Sequence, residues 1–421
     1  MNPSETAETS PSSGRVPPAE ASAAAFDTTP VQLDSVRRAG DVTDIVGPRH
    51  FLHAGPPIAL HDIPGPMLGA LIGGLLFERE AADEAAARAI IDSGELTISP
   101  CHHAGGVGAM AGVITPNMPV VVARSGTVRT FSPLNEGTDG AVRYGSFDDA
   151  TIARLTWMSS VLAPTLDAAI QASEPIDLVA LISEGLRRGD DCHNRLVATT
   201  ANLLSHLASA MVTTAESRDA AAESLAFISA NGHFALPFAI STGKALAVAA
   251  SGISGSPVVT AMSANGREFG IQVSGTGDRW FTAPSPIGTP KLMPGVSVED
   301  LNPTMGDSMI AETAGFGAFA MSAAPAIMSF VGGTAGEAVQ IVDEMRSICT
   351  SESSQFLIPG EDHRGTPIGI DVHRVTQLQT TPVINNGLAH REAGRGRAGA
   401  GITRVPIECF VAASAALSGR S

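Results

Sequence analysis

The sequence predicts a mixed α-β fold of the α+β class, with two α/β regions flanking a small helical domain. Three observations point there. Apolar runs meet at the turn pairs Ser125-Gly126 and Asn265-Gly266, the second a strong hairpin signal, one on either side of the middle of the chain. Between them, residues 151–230 read as consecutive helices. Hydrophobic residues make up 44% of the 421 positions and charged residues 16%, the composition of a well-buried globular chain. The expected layout is a disordered tail over 1–40, an N-terminal α/β domain over 41–150, a helical domain over 151–230 and a C-terminal α/β domain over 231–421.

Residues 1–40 are rich in Ser, Thr, Ala and Pro and nearly lack large apolar side chains, hence the tail. A short buried helix opens at Gly65-Pro66, with proline at its favoured early position. Residues 80–93 form an alanine-rich amphipathic pattern closed by Gly94. Strands follow near 119–123 and 127–131. Helices are expected over 148–171, 176–188, 190–212 and 215–230, the third capped by an aspartate. Strands return at 256–264 and 269–274. Residues 307–333 read as one long apolar helix capped at Asp307-Ser308. Its uncharged part is rich in Gly and Ala, contains Pro325 and lacks a basic flank, which favours a helix inside the protein over a membrane span. Residues 337–349 give a further amphipathic helix, and 385–404 a tail of glycines and arginines.

The formal charge is −16, which argues against a nucleic-acid backbone or an anionic membrane as partner. A small anion remains open, because a few local arginines can dominate a pocket. The four cysteines form no C-x-x-C pair and suit a reducing cytoplasm. No secretory signal is visible, so the expected location is cytoplasmic.

Several clusters could carry chemistry. Residues 99–119 hold His102 and His103 in front of four glycines, whose backbone N–H groups could meet an anion. The same stretch could be a tight turn before a strand. Residues 190–195 place His193, Asn194 and Arg195 at an expected helix N-terminus, where Asp191 could equally act as a cap paired with Arg195. His233 follows Asn231-Gly232. Arg279 could grip a carboxylate or phosphate, or lie on a surface turn. Glu312 is the last acid before the uncharged run, and a buried carboxylate needs a partner. His390 lies among glycine-flanked arginines that read as an anion nest or a flexible basic loop. No nucleophile elbow, zinc-protease, EF-hand or kinase signature is present.

Taken in order, Pro100-Cys101-His102-His103, Leu134-Asn135-Glu136-Gly137, Gly189-Asp190-Asp191-Cys192-His193-Asn194-Arg195, Gly277-Asp278-Arg279-Trp280, Gly306-Asp307-Ser308, Glu312-Thr313-Ala314-Gly315 and Ala389-His390-Arg391-Glu392-Ala393-Gly394 resemble the YlbE-like family, which includes the allantoin-operon protein AllG. The resemblance runs from about residue 50 to 410. Ala104, Leu196 and Gly232 stand where that pattern more often has histidine, asparagine and aspartate. The resemblance implies a mixed α/β fold with a helical insert. It also implies a subunit of an oxamate carbamoyltransferase, working beside FdrA-like and YlbF-like proteins in allantoin nitrogen catabolism. That reaction converts oxalurate and phosphate into oxamate and carbamoyl phosphate.

The site is expected in one shared cleft. His102, His103, His193, Glu312 and His390 are its expected catalytic residues. Gly105, Gly106, Asn135, Asn194, Arg195, His233, Arg279 and Asp307 are its expected substrate contacts. No cofactor is evident, and magnesium is compatible with the chemistry. Two further readings stay open: a non-catalytic anion-binding or scaffold subunit for an FdrA-like partner, and a metal-dependent ureido hydrolase using His102, His103 and His193.

Overall fold

A computed structural model describes residues 16–138 and 140–419. The expected mixed fold is present, with several small sheets wrapped by helices. The expected tail is corrected over much of its length. Pro18–Thr28 is a helix whose Ala23 and Phe26 are buried, and Gln32–Arg38 is a strand. This strand pairs antiparallel with Pro119–Ser125, which pairs in turn with Val128–Pro133. Phe26, Val31, Leu33 and Val36 supply the apolar anchors that the small-residue composition obscured. The part of the expected tail before residue 16 lies outside the described residues.

The hairpin turns fall where the sequence places them. Gly126 and Gly266 both take positive φ, which only glycine adopts without strain. The second hairpin, Val259–Asn265 with Glu268–Val273, gains Met305–Gly306 on one edge and Phe281–Pro284 on the other. The helix Gly65–Phe77 opens with proline in its first turn. Glu84–Ser93 starts four residues later than the pattern suggested, because Asp83 caps it by accepting from Ala86 N at 2.8 Å. The C-terminal glycine–arginine stretch is also corrected. It forms the antiparallel strands Val383–Ala389 and Arg397–Arg404, joined at the edge by Thr289–Leu292.

The largest correction concerns 307–333. It breaks into the short turn Ile310–Thr313, a tight-turn stretch Gly317–Ala323, a turn Pro325–Ile327 and the short helix Met328–Val331. Gly315, Gly317, Gly332 and Gly333 take positive φ, and Pro325 removes a donor, so one continuous helix is unavailable. Among the described residues no helix is long and apolar enough to cross a membrane.

The core does not follow the expected domain boundaries. One cluster joins Phe26, Val121, Leu166, Leu203, Phe238 and Ile310, drawing on all three regions. Its centre is the helix Leu236–Ala250, which is buried along nearly its whole length. The site residues are arranged around this helix and the broken stretch after Gly306.

Candidate functional site

Glu312 is fully buried in the turn Ile310–Thr313. A carboxylate there requires donors. Its Oε1 faces His193 Nδ1 at 2.9 Å and accepts from the backbone N–H groups of Ala318 at 2.9 Å and Asn385 at 3.3 Å. Oε2 has no hydrogen-bond partner among the described residues. Gly317 makes the approach possible, since a Cβ there would stand 2.4 Å from Glu312 Oε1 and 3.1 Å from His193 Cβ. Gly317→Ala is therefore expected to separate the Glu312–His193 pair and to destabilise the protein by about 1–3 kcal/mol. A urea midpoint falling at constant slope would register the stability change.

The loop that carries His193 is not a helix N-terminus, which corrects the expectation. The helix begins at Val197. Asp190 ties its start, accepting from Thr199 N at 2.7 Å and Thr199 Oγ1 at 2.9 Å. Asp191 instead shapes the loop. Its Oδ1 accepts from the N–H groups of His193, Asn194 and Arg195, and its Oδ2 accepts from Asn385 Nδ2 at 2.7 Å. Asn194 Nδ2 donates to Asn385 O and Oδ1 at 2.8 and 3.0 Å. The Arg195 guanidinium pairs with Asp190 at 3.7 Å, not with Asp191, and donates to Gly189 O at 3.0 Å. Burial works against the charged form of His193, but the adjoining Glu312 carboxylate outweighs it and raises the imidazole above its ordinary value. Glu312 thus holds Nδ1, and an imidazole raised in this way is chemically able to carry and release a proton.

Beside it lie His233, two arginines and several buried amides, with the buried carboxylate of Glu136 accepting from Arg143 N. His233 is held down at about 4, first by burial and then by the nearby charges of Arg143 and Arg397. The Arg397 guanidinium lies 4.8 Å from the centre of the Phe330 ring, which also packs against His233. Arg143 donates to Gly137 O at 2.8 Å while its Nε is buried without a partner among the described residues. Asn231 Nδ2 donates to Asn135 O and Oδ1, leaving the buried Asn135 Nδ2 unpartnered there. Asn386 Nδ2 is buried and unpartnered in the same way. A recess of about 280 Å³ is lined by Gly137, Arg154, Asn231 and His233.

The two leading histidines of the sequence belong to a separate cluster. His102 is buried, with Nδ1 3.2 Å from Lys244 Nζ and Nε2 3.5 Å from Asp307 Oδ1. Asp307 accepts from Gly55 N and Gly108 N at 2.9 Å each and from Ser263 Oγ. Burial pushes Asp307 up to about 6, against the pull of these donors, and pushes Lys244 down to about 8. Burial and then Lys244 press His102 well below the usual imidazole range, so its ring is neutral. His103 is exposed and accepts from Trp280 Nε1 at 3.0 Å.

Other expected contacts take different positions. The amides of Gly105 and Gly106 are spent on His102 O and Cys101 O, so they do not form an anion nest. Gly106 is glycine because a Cβ would meet the Phe131 ring at 2.7 Å. Arg279 is exposed and stacks 4.7 Å from the Phe281 ring centre. His390 sits apart, 3.8 Å from Asp300. The expected single cleft is thus two clusters, joined by the short segment 307–312. His102 and His103 do not converge with His193, which removes the three-histidine metal site. Among the described residues no group of three or more His, Cys, Asp or Glu is placed to hold a metal ion. Lys244 and Arg143 were not among the expected site residues. Lys244 had a signal, being one of two lysines in the chain and set within an otherwise uncharged stretch. Arg143 had none.

The family described as oxamate carbamoyltransferase subunit AllG matches residues 96–308. The oxamate carbamoyltransferase subunit AllG of Escherichia coli (strain K12) is 40% identical over 395 residues, covering 92% of this chain and 94% of that protein. The uncharacterized protein YahG of the same organism is 39% identical over 362 residues, covering 86% of this chain and 77% of its own length. The crystal structure of a conserved protein of unknown function from Enterococcus faecalis V583 superposes with a TM-score of 0.93 at 40% identity, covering 96% of this chain and 97% of that one.

Proposed function

We propose a function from one premise: the chain belongs to the family of the oxamate carbamoyltransferase subunit AllG. In this reading it is a subunit of a carbamoyltransferase in ureide nitrogen catabolism in the cytoplasm. The enzyme interconverts oxalurate plus phosphate with oxamate plus carbamoyl phosphate, and FdrA-like and YlbF-like chains are the partner subunits.

The observation that supports this most is the His193–Glu312 dyad beside two arginines. A phosphate oxygen attacks the carbamoyl carbon of oxalurate, the C–N bond to the oxamate nitrogen breaks, and that nitrogen takes a proton. Two anions must be held together, which is the role given to Arg143 and Arg397. The leaving nitrogen needs an acid, the role given to His193 Nε2 with Glu312 fixing Nδ1. The unpartnered amides of Asn135 and Asn386 are the donors proposed for the developing oxyanion. Arg195, Asn194 and Asp191 position the His193 loop. The carboxylates among the described residues do not form a magnesium site, so no step is routed through that ion.

The test is oxalurate phosphorolysis by the assembled subunits, together with calorimetric titration of carbamoyl phosphate into the chain alone and into the assembly. Turnover with binding is the expected result. Turnover with no binding to this chain, alone or assembled, would favour a scaffold role and a catalytic partner. Absence of turnover in a well-folded assembly would refute the reaction.

A further inference from the structure

The Asp307–His102–Lys244 cluster is left over by the mechanism above. Its geometry is that of a nucleophile, a base and an orienting acid. Lys244 Nζ stands 3.2 Å from His102 Nδ1, and His102 Nε2 stands 3.5 Å from Asp307 Oδ1. Asp307 is itself locked by Gly55 N, Gly108 N and Ser263 Oγ. With Nζ donating to Nδ1, the ring proton lies on Nε2, toward the carboxylate. That tautomer leaves Nδ1 as the acceptor for the proton that the amine releases once its lone pair is committed to a carbonyl carbon.

Two further features go beyond what a structural lysine needs. An ammonium has three donors, and Lys244 Nζ has one hydrogen-bond partner among the described residues. The nitrogens His102 Nε2 and His53 Nε2 are buried and have no hydrogen-bond partner among those residues. Above the cluster, Trp280 meets His102 edge-on at 5.5 Å and donates to the exposed His103. Lys244 keeps 7% of its surface exposed. A buried ionisable amine with unmet donors under a polar rim has hydrogen-bonding capacity left for a small carbonyl group.

We propose that Lys244 is a carbamoyl-accepting amine, modified at Nζ by carbamoyl phosphate with His102 as the base. The lone pair of Nζ attacks the carbamoyl carbon. The bond from that carbon to the phosphate oxygen breaks, and its electron pair leaves with phosphate. The proton released from Nζ passes to His102 Nδ1 and from there to the departing phosphate. The products are a urea on Lys244 and inorganic phosphate. The burial that lowers the amine to about 8 supplies the neutral, nucleophilic form. The choice of donor rests on the proposed function; the reactivity of the amine does not.

The chain carries its own control, since its other lysine, Lys291, is exposed. The full-length chain is incubated in one arm with cyanate and in a second with carbamoyl phosphate, the latter with glycine to trap cyanate released in solution. Carbamoyl adducts are then mapped by peptide mass spectrometry over time. Labelling of Lys244 at least about tenfold faster than Lys291 in both arms is expected, in line with the contribution of a positioned base. In His102→Asn the Lys244 rate is expected to fall about tenfold or more while the Lys291 rate stays unchanged. Faster labelling of Lys291 than Lys244 overturns the proposal, and this comparison needs no variant. Labelling of Lys244 by cyanate alone overturns carbamoyl phosphate as the donor. An unchanged Lys244 rate in His102→Asn overturns the base. Failure of oxalurate phosphorolysis would sink the proposed function and leave the cyanate arm standing.

Discussion

Glu312→Gln is expected to lower turnover of the proposed oxalurate reaction by about 10²- to 10⁴-fold, the usual contribution of a positioned acid or base. The substitution isolates charge from shape. The introduced amide keeps a carbonyl oxygen where Oε1 now accepts from Ala318 N, Asn385 N and His193 Nδ1. Its nitrogen replaces Oε2, which has no partner to lose among the described residues. The backbone contacts should therefore hold, and the fall in denaturant midpoint from the lost charge should shrink as pH rises and His193 becomes neutral in both proteins. What disappears is the negative charge that raises His193 against the effect of burial. Burial then outweighs the remaining pull of Asp191 and drives the imidazole neutral at lower pH. If the protonated ring is the acid, activity declines as pH rises through the raised His193 value, and in Glu312→Gln that decline moves to lower pH. The pH profile of kcat/KM checks both the size and the direction. A profile with the wild-type height and position would remove the dyad from the mechanism.

How much of this was legible in the sequence follows from what each feature depends on. Local signals worked. Gly126, Gly266 and Gly94 marked turns and a helix end because their positive φ is a property of one residue. His193 and Glu312 were both singled out, one for its polar cluster and one as an acid entering an apolar run. Their pairing was not visible, because 119 positions separate them and their approach needs the missing side chain of Gly317. The reading of one long helix over 307–333 failed because hydropathy outweighed its glycines. The expected tail failed for the opposite reason, since Phe26 and Val31 were too few to outweigh the small polar residues around them. The single cleft was an inference from chain order, and order does not specify distance. The core helix Leu236–Ala250 contributes Lys244 to one cluster, while Arg143 and Arg397 reach the other from a turn and a strand.

Asp307→Asn is expected to be the most destabilising single change in the His102 cluster, at about 2–5 kcal/mol near neutral pH. The cost arises from direction as much as charge. The two carboxylate oxygens accept from Gly55 N, Gly108 N and Ser263 Oγ, and neither backbone donor can turn away. An amide offers one acceptor and one donor in the same space. One buried N–H group would face another, and the loss of the negative charge would leave Lys244 without its counterion. The pH dependence gives an independent check. The folded value of Asp307 is raised from 3.8 to about 6, so the native state holds its proton more tightly than the unfolded chain. That contribution is fully present below about 4 and is lost as pH rises through 6, on the order of 3 kcal/mol. The stability gap between wild type and Asp307→Asn should therefore narrow over this window. Urea unfolding at fixed slope across the range measures it. A gap that stays constant would mean that Asp307 releases its proton at the same pH in the folded and unfolded chain, and that burial does not raise it.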